Sequence, residues 1–145
     1  MFAHEKPPII LHVEDDQIEV RTLQRQFRKM GISNELVNAK DGIDALAYLR
    51  KTNGTGQPLQ PVLVLLDLNM PRMGGIEFLH ELRRDENLKG VYVFVLTTSD
   101  NPSDRANVSR YGAAGYVVKS DPEKSFDAAM QLVTHFFRKE LLAPV

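Results

Sequence analysis

Pro61-Val62-Leu63-Val64-Leu65-Leu66-Asp67 is an unbroken apolar run that ends on a carboxylate. Asp67 then opens the break Asp67-Leu68-Asn69-Met70-Pro71. An apolar stretch of strand length with no polar alternation reads as a strand buried on both faces, as in a parallel sheet covered by helices. A carboxylate at the end of such a strand is costly unless a cation meets it there. Two other runs end in a similar way. Ile9-Ile10-Leu11-His12-Val13 closes on Glu14-Asp15-Asp16, and Gly115-Tyr116-Val117-Val118 closes on Lys119. Two acidic strand ends and one basic end point to a shared pocket.

Working outward, strand and helix patterns alternate along the whole chain. A lead-in over residues 1–7 precedes a strand over 9–14. The spacing of Val20, Leu23, Phe27 and Met30 predicts a helix over 17–30, with Asp16 and Glu19 in capping-box relation and Gly31 as its end. A short strand is expected over 35–38. A second helix is expected over 41–51, with Ile43, Leu46, Ala47 and Leu49 as its apolar set. The turn-rich segment 52–58 is a loop. After the strand that ends at Asp67, a Pro/Gly turn leads into a helix over 76–84 presenting Ile76, Leu79 and Leu82. Val91-Tyr92-Val93-Phe94-Val95-Leu96-Thr97 is a fourth strand, residues 103–111 a weakly amphipathic helix, 115–118 the last strand and 125–142 the last helix.

Strict alternation of five strands and five helices argues for a doubly wound α/β fold, a five-stranded parallel sheet with helices on both faces. Ligands of such sheets bind beyond the carboxyl ends of the strands, where the strand order reverses. Glu14, Asp15, Asp67, Thr97 and Lys119 all fall at those ends.

The bulk numbers narrow the function class. At 145 residues the chain has single-domain length and room for a substantial core. Eighteen basic and 19 acidic residues leave a net charge of −1, so no global field favours nucleic acid or an anionic membrane. The absence of cysteine excludes disulfides and thiolate metal sites. Apolar runs near 61–66 and 91–97 are too short to span a bilayer, and residues 1–8 lack the apolar core of a signal peptide. The expectation is a cytoplasmic protein.

Three carboxylates gathered without an obligatory counterion would repel one another by roughly 4 kcal/mol per pair at ~4 Å and an effective dielectric near 20. A hard divalent cation relieves this, and an oxygen-only donor set suits Mg²⁺ better than zinc or copper. Lys119 and the Thr97 hydroxyl would add a point charge and a donor for a phosphoryl group. A carboxylate oxygen facing that group is a nucleophile. The expected chemistry is phosphoryl transfer to Asp67, giving an acyl phosphate.

The ordered set Val13-Glu14-Asp15-Asp16, Leu66-Asp67-Leu68-Asn69-Met70-Pro71 with Gly75, Leu96-Thr97-Thr98-Ser99 and Gly115-Tyr116-Val117-Val118-Lys119 resembles the receiver domain of two-component response regulators. The intervals are 52 residues from Asp15 to Asp67, 30 to Thr97 and 22 to Lys119, and the likeness covers about residues 8–142. It implies a flavodoxin-like strand order 2-1-3-4-5 and a receiver unit over 8–145 with an extended last helix. By the resemblance, Asp67 accepts phosphate from a phosphohistidine of a sensor histidine kinase. Asp15 and Asp67 would bind Mg²⁺ directly, Glu14 through water and Asn69 through its carbonyl. Thr97 and Tyr116 would form the switch, Lys119 would pair with the phosphoryl group, Thr98 would leave access for the donor, and Asn69 and Ser99 would tune dephosphorylation. The likeness extends to stand-alone regulators of cyanobacterial phytochrome kinases, which implies light signalling without an output domain. The family usually has proline after the lysine, where this chain has Lys119-Ser120-Asp121-Pro122.

Each residue also has a structural reading. Asp16 is explained by a helix start, Thr97 by a strand and Tyr116 by half-buried core. The scattered His4, His12, His80 and His135 have no metal-ligand spacing, and His12 is expected to pack within its strand. Gly54-Thr55-Gly56 is followed by no Gly-Lys-Ser/Thr and so cradles no phosphate. An aspartate-nucleophile phosphatase would need a second acid two residues after Asp67, where this chain has Asn69. A flavin-binding module would need a phosphate loop where Glu14-Asp15-Asp16 stands. A degenerate receiver acting as an adaptor is the remaining alternative, opposed by the complete acidic set. In the last helix, Phe126, Met130, Val133, Phe137 and Leu141 form a stripe for the sheet, widened by Leu132 and Phe136. That width predicts a homodimer through the fourth helix, last strand and last helix.

Overall fold

The computed structural model describes residues 8–51, 62–70 and 72–119, together with Asp127, Met130, Gln131, Thr134 and His135, each of them helical. Its elements follow in the order β1 (Ile9–Val13), α1 (Gln17–Lys29), β2 (Leu36–Ala39), α2 (Gly42–Leu49), β3 (Val62–Leu66), α3 (Gly75–Arg84), β4 (Tyr92–Thr97), α4 (Pro102–Arg110) and β5 (Gly115–Val118). All strand pairs are parallel, and the sheet order is β2-β1-β3-β4-β5. The chain leaves β1 toward one edge, returns past it to β3 and continues to the other edge. The order therefore reverses between β1 and β3, and the carboxyl ends of those two strands border the crevice.

Alternate residues of the strands feed two apolar layers. Leu11, Val13, Val64, Leu66, Val93 and Val95 pack against α2 and α3, which contribute Ala45, Leu46, Leu49, Phe78, Leu79 and Leu82. On the other face Ile10, Leu63, Leu65, Phe94 and Leu96 meet Leu23 and Phe27 of α1, and Met130. Burying each Val, Leu, Ile, Phe or Met of these layers fully stabilises the fold by about 1.5–3 kcal/mol relative to leaving it in water. The centre of β3 is wholly enclosed, as its unbroken apolar pattern requires. Among the described residues no helix is long and apolar enough to cross a membrane.

The helix faces differ from the sequence expectation in detail. In α2 the buried set is Gly42, Ala45, Leu46 and Leu49, while Ile43 and Ala47 face solvent. Glycine at the first position lets α2 approach Met73, whose Cγ would lie 2.7 Å from an added Cβ. That contact turns the helix away from the phase set by Ile43. Met30 caps α1 and is exposed rather than part of its apolar face. Phe78, absent from the expected α3 stripe, is fully buried. The second strand lies one residue later than the expected 35–38, and within it the Asn38 amide donates to the carbonyls of His12, Glu14 and Ala39. The apolar stripe expected of the last helix is represented among the described residues by Met130, which is buried. Phe126, Leu132, Val133, Phe136, Phe137 and Leu141 lie outside the described residues, as do Ser120, Asp121 and Pro122.

Candidate functional site

Three candidate side chains are placed by one device, a ladder hydrogen bond carried one residue beyond a strand. Glu14 N–H donates to Ala39 C=O at 2.9 Å, Asp67 N–H to Val13 C=O at 3.1 Å, and Lys119 N–H to Thr97 C=O at 2.7 Å. Each backbone is therefore as fixed as the sheet, while its side chain projects into the crevice. After Asp67 the chain turns sharply into α3, with Gly75 N–H donating to Leu68 C=O at 3.0 Å. A Cβ at Gly75 would stand 2.7 Å from the Asp67 carbonyl oxygen, so this turn requires glycine there.

Glu14, Asp15 and Asp67 each offer a carboxylate oxygen, and these oxygens lie within 4.8 Å of one another. Glu14 and Asp67 are buried, whereas Asp15 opens to solvent. Burial pushes the Glu14 carboxyl up to about 7; the Asp67 charge adds to the rise, and Lys119 with the Asp16 N–H opposes it. Burial also raises Asp67, against the Lys119 charge and hydrogen bonds from the Asn69 N–H and the Thr97 hydroxyl. Two buried carboxyls both pushed toward the neutral form mark a cluster short of positive charge. An all-oxygen set spread over less than 5 Å fits a hard divalent cation, which would return both groups to their charged forms.

The expectation that this cluster lacks a counterion needs correction. Lys119 Nζ lies 3.3 Å from Glu14 Oε1 and 3.2 Å from Glu19 Oε2. Burial pulls the Lys119 ammonium down, but Glu14, Asp67 and Glu19 together outweigh it and hold the group above its ordinary value. Glu19 was expected to close a capping box. Asp16 instead caps α1 alone, accepting from Ile18 N–H at 2.9 Å, and Glu19 turns to Lys119. The motif reading missed this member of the site, because a glutamate three residues after an N-cap has a local explanation ready.

On the β4 side, Thr97 is fully buried and its Oγ1 also accepts from Ser99 N–H at 3.3 Å. Ser99 Oγ donates to Asp104 Oδ2 at 2.5 Å. The half-buried Tyr116 donates its hydroxyl to Ser99 C=O at 2.7 Å, with the Arg105 guanidinium 4.6 Å above its ring. Asn69 and Thr98 are exposed at the rim. His12 is buried in β1, as expected, with its ionisation pulled down to about 3 by burial and by the Lys119 charge. It is a neutral core residue.

A second feature invisible to motif reading braces the loop after β3. Arg72 adopts a left-handed backbone, φ 62°, which costs a non-glycine residue about 1 kcal/mol or more. Its guanidinium binds Asp41, with Nε donating to Oδ2 at 2.6 Å, and reaches Asp44 at 3.3 Å. Asp41 also caps α2 through Asp44 N–H, and Gly42 N–H donates to Met73 C=O. Hydrogen bonds from Asp44 and Arg72 outweigh the burial of Asp41 and hold its carboxyl below the usual range.

Residues 10–131 match the family described as the response regulator receiver domain. The response regulator Rcp1 of Synechocystis sp. is 33% identical over 138 residues, covering 95% of this chain and 94% of that protein. The Mn²⁺-bound form of Rcp1 superposes with a TM-score of 0.77 at 32% identity, over 90% of this chain and 95% of that one. The phosphorylated cyanobacterial phytochrome response regulator RcpA gives a TM-score of 0.74 at 31% identity, over 97% and 98%. With its five-stranded topology, its acidic crevice and these likenesses, the chain belongs to the response regulator receiver domain family.

Proposed function

We propose that the chain is a phosphorylation switch in which Asp67 accepts a phosphoryl group from a phosphohistidine of a sensor kinase, with Mg²⁺ bound by Glu14, Asp15, Asp67 and the Asn69 carbonyl. The observation that carries this reading is the convergence of three carboxylates from two strand ends beside Thr97 and Lys119. An Asp67 carboxylate oxygen attacks phosphorus, the P–N bond breaks, and the departing imidazole nitrogen keeps the electron pair and takes a proton. The product is an acyl phosphate on Asp67. When bound, the cation neutralises the carboxylates and the charge that develops on the phosphoryl oxygens. Lys119 supplies a mobile ammonium to the same oxygens, and Thr97, already hydrogen-bonded to Asp67, supplies a donor.

Thr97 and Tyr116 carry the change outward. Moving the Thr97 hydroxyl toward a phosphoryl oxygen disturbs Ser99, on which the Tyr116 hydroxyl rests. Asn69 and Ser99 border the path of a hydrolytic water and tune the lifetime of the acyl phosphate. The Asn69 amide does not ionise near neutral pH and cannot serve as a general acid or base, so the chain acts as a switch and not as a turnover phosphatase. The likeness to Rcp1 and RcpA supports a phytochrome kinase as the donor and a role in light signalling. The receiver unit comprises residues 8–145, pairs with a second copy through α4, β5 and the last helix, and works in the cytoplasm without nucleic acid. A monomer at every concentration in sedimentation experiments, with and without phosphorylation, would remove the dimer from this reading.

Acetyl phosphate with Mg²⁺ is expected to add one phosphoryl group, released by hydroxylamine, and Asp67→Asn is expected to abolish the addition. Equal labelling of the variant in intact-mass spectra would overturn the assignment.

A further inference from the structure

The Lys119 ammonium serves two carboxylates, and only one of them belongs to the acidic cluster. Glu14 arrives from the end of β1 and is buried; Glu19 arrives from the first turn of α1 with 42% of its side chain exposed, and the lysine side chain between them is 12% exposed. An ammonium has three hydrogens to give. Here two are directed at Glu14 Oε1 and Glu19 Oε2 at 3.3 and 3.2 Å. The oxygens of Glu19 are not among those that converge for a cation. Its effect on the site therefore runs through Lys119.

We propose that Glu19 is a positioning residue that holds Lys119 in the unphosphorylated chain and thereby biases the switch toward that state. The proposal rests on the reading of Asp67 as the phosphoacceptor. A phosphoryl group on Asp67 brings several acceptor oxygens toward the same ammonium, and moving the ammonium toward them, or giving them more than its one uncommitted hydrogen, weakens the resting pair. An interaction present in one state and weakened in the other shifts the balance by the difference between its two strengths. Because Glu19 is partly solvated, releasing it is inexpensive, and the bias it imposes is modest. An ion pair with one partner open to water is worth up to about 1 kcal/mol, which corresponds to a roughly two- to fivefold change in the affinity of a phosphoryl mimic. Glu14 cannot play this part, since it sits within the acidic cluster in both states.

The test is a set of four proteins: wild type, Glu19→Gln, Lys119→Met and the double variant. Each is titrated with beryllofluoride in the presence of Mg²⁺ and followed by fluorine NMR. Glu19→Gln is expected to reach half-saturation at a two- to fivefold lower beryllofluoride concentration, and the same change in the Lys119→Met background is expected to do nothing. An effect that persists without Lys119 would mean that removing any nearby negative charge helps an anion bind, and it overturns the proposal. Unchanged or weaker binding by Glu19→Gln overturns it as well. Thermal unfolding of the same four proteins without metal or beryllofluoride reads the resting pair alone. The two substitutions are expected to be non-additive in Tm, and strict additivity overturns the proposal even where Lys119→Met binds too weakly to titrate. A wild type that takes up no beryllofluoride overturns the phosphoacceptor reading itself, and this inference with it.

Discussion

Lys119 and Arg83 are cations drawn partly out of water at opposite ends of the same sheet, and their surroundings could hardly differ more. Lys119 stands at the carboxyl end among carboxylates, which can lose or gain protons or turn to another partner. Arg83 stands at the amino end, where its fork is filled by neutral backbone carbonyls. Nε donates to Tyr111 at 2.6 Å, Nη1 to Lys89 at 2.9 Å and Val91 at 2.8 Å, and Nη2 to Gly112 at 3.3 Å. Burial lowers the Arg83 guanidinium from its ordinary value, and it stays charged at any physiological pH. Arg83 thus locks α3 to the segments that lead into β4 and β5, while Lys119 remains exchangeable. One end of the sheet holds the frame and the other holds the charge that can be redirected.

The largest effect that would test this contrast is at the fixed end. Arg83→Met removes donors from two loops at once and is expected to cost about 2–4 kcal/mol in urea unfolding, with labelling of Asp67 by acetyl phosphate retained. Arg83→Lys is expected to recover less than half, because a single ammonium does not span carbonyls on both loops. Loss of labelling in a folded Arg83→Met protein would break the separation of the two ends.

An intermediate effect belongs to pH at the exchangeable end. His12, neutral when folded down to about 3, binds its proton first in the unfolded chain, so it makes stability rise with pH up to its ordinary 6.5. Glu14, raised to about 7, keeps its proton longer in the fold, so it makes stability fall as pH rises from its ordinary 4.5. Each limb reaches at most about 1.4 kcal/mol per pH unit. In metal-free protein the two oppose each other between those ordinary values. His12→Leu is expected to expose the falling limb, and Glu14→Gln the rising one, in urea midpoints measured across that window. Parallel rising profiles would contradict the Glu14 assignment, and parallel falling ones the His12 assignment. The smallest effect is that of Lys119→Met near neutral pH without metal, expected to cost less than about 1 kcal/mol because Glu14 can hold a proton in place of its partner.

Much of this was legible in the chain because the sheet is built from runs that need no tertiary context. An unbroken apolar strand such as β3 has one place to go, and the carboxylate after it marks the end facing the crevice. The five strands, their carboxyl-end residues and the grouping of Glu14, Asp15 and Asp67 follow from that logic. Helix faces were less legible. The buried side of α2 depends on how closely Gly42 meets Met73, which no periodicity records. Glu19 and Arg72 were missed for a related reason: each has an adequate local role, as a first-turn acid or a turn residue. Their partners, Lys119 and Asp41, lie 100 and 31 residues away.

Ser99 has both of its polar ends engaged, its hydroxyl with Asp104 and its carbonyl with Tyr116. A displacement of the segment from Thr97 to Ser99 therefore strains the link to α4 and the link to β5 together. A partial displacement keeps neither bond at good geometry and is therefore costly. In the proposed switch, a segment tied at both ends would toggle, and signalling would then be set by the fraction of time spent in each position, not by how far any one copy has moved.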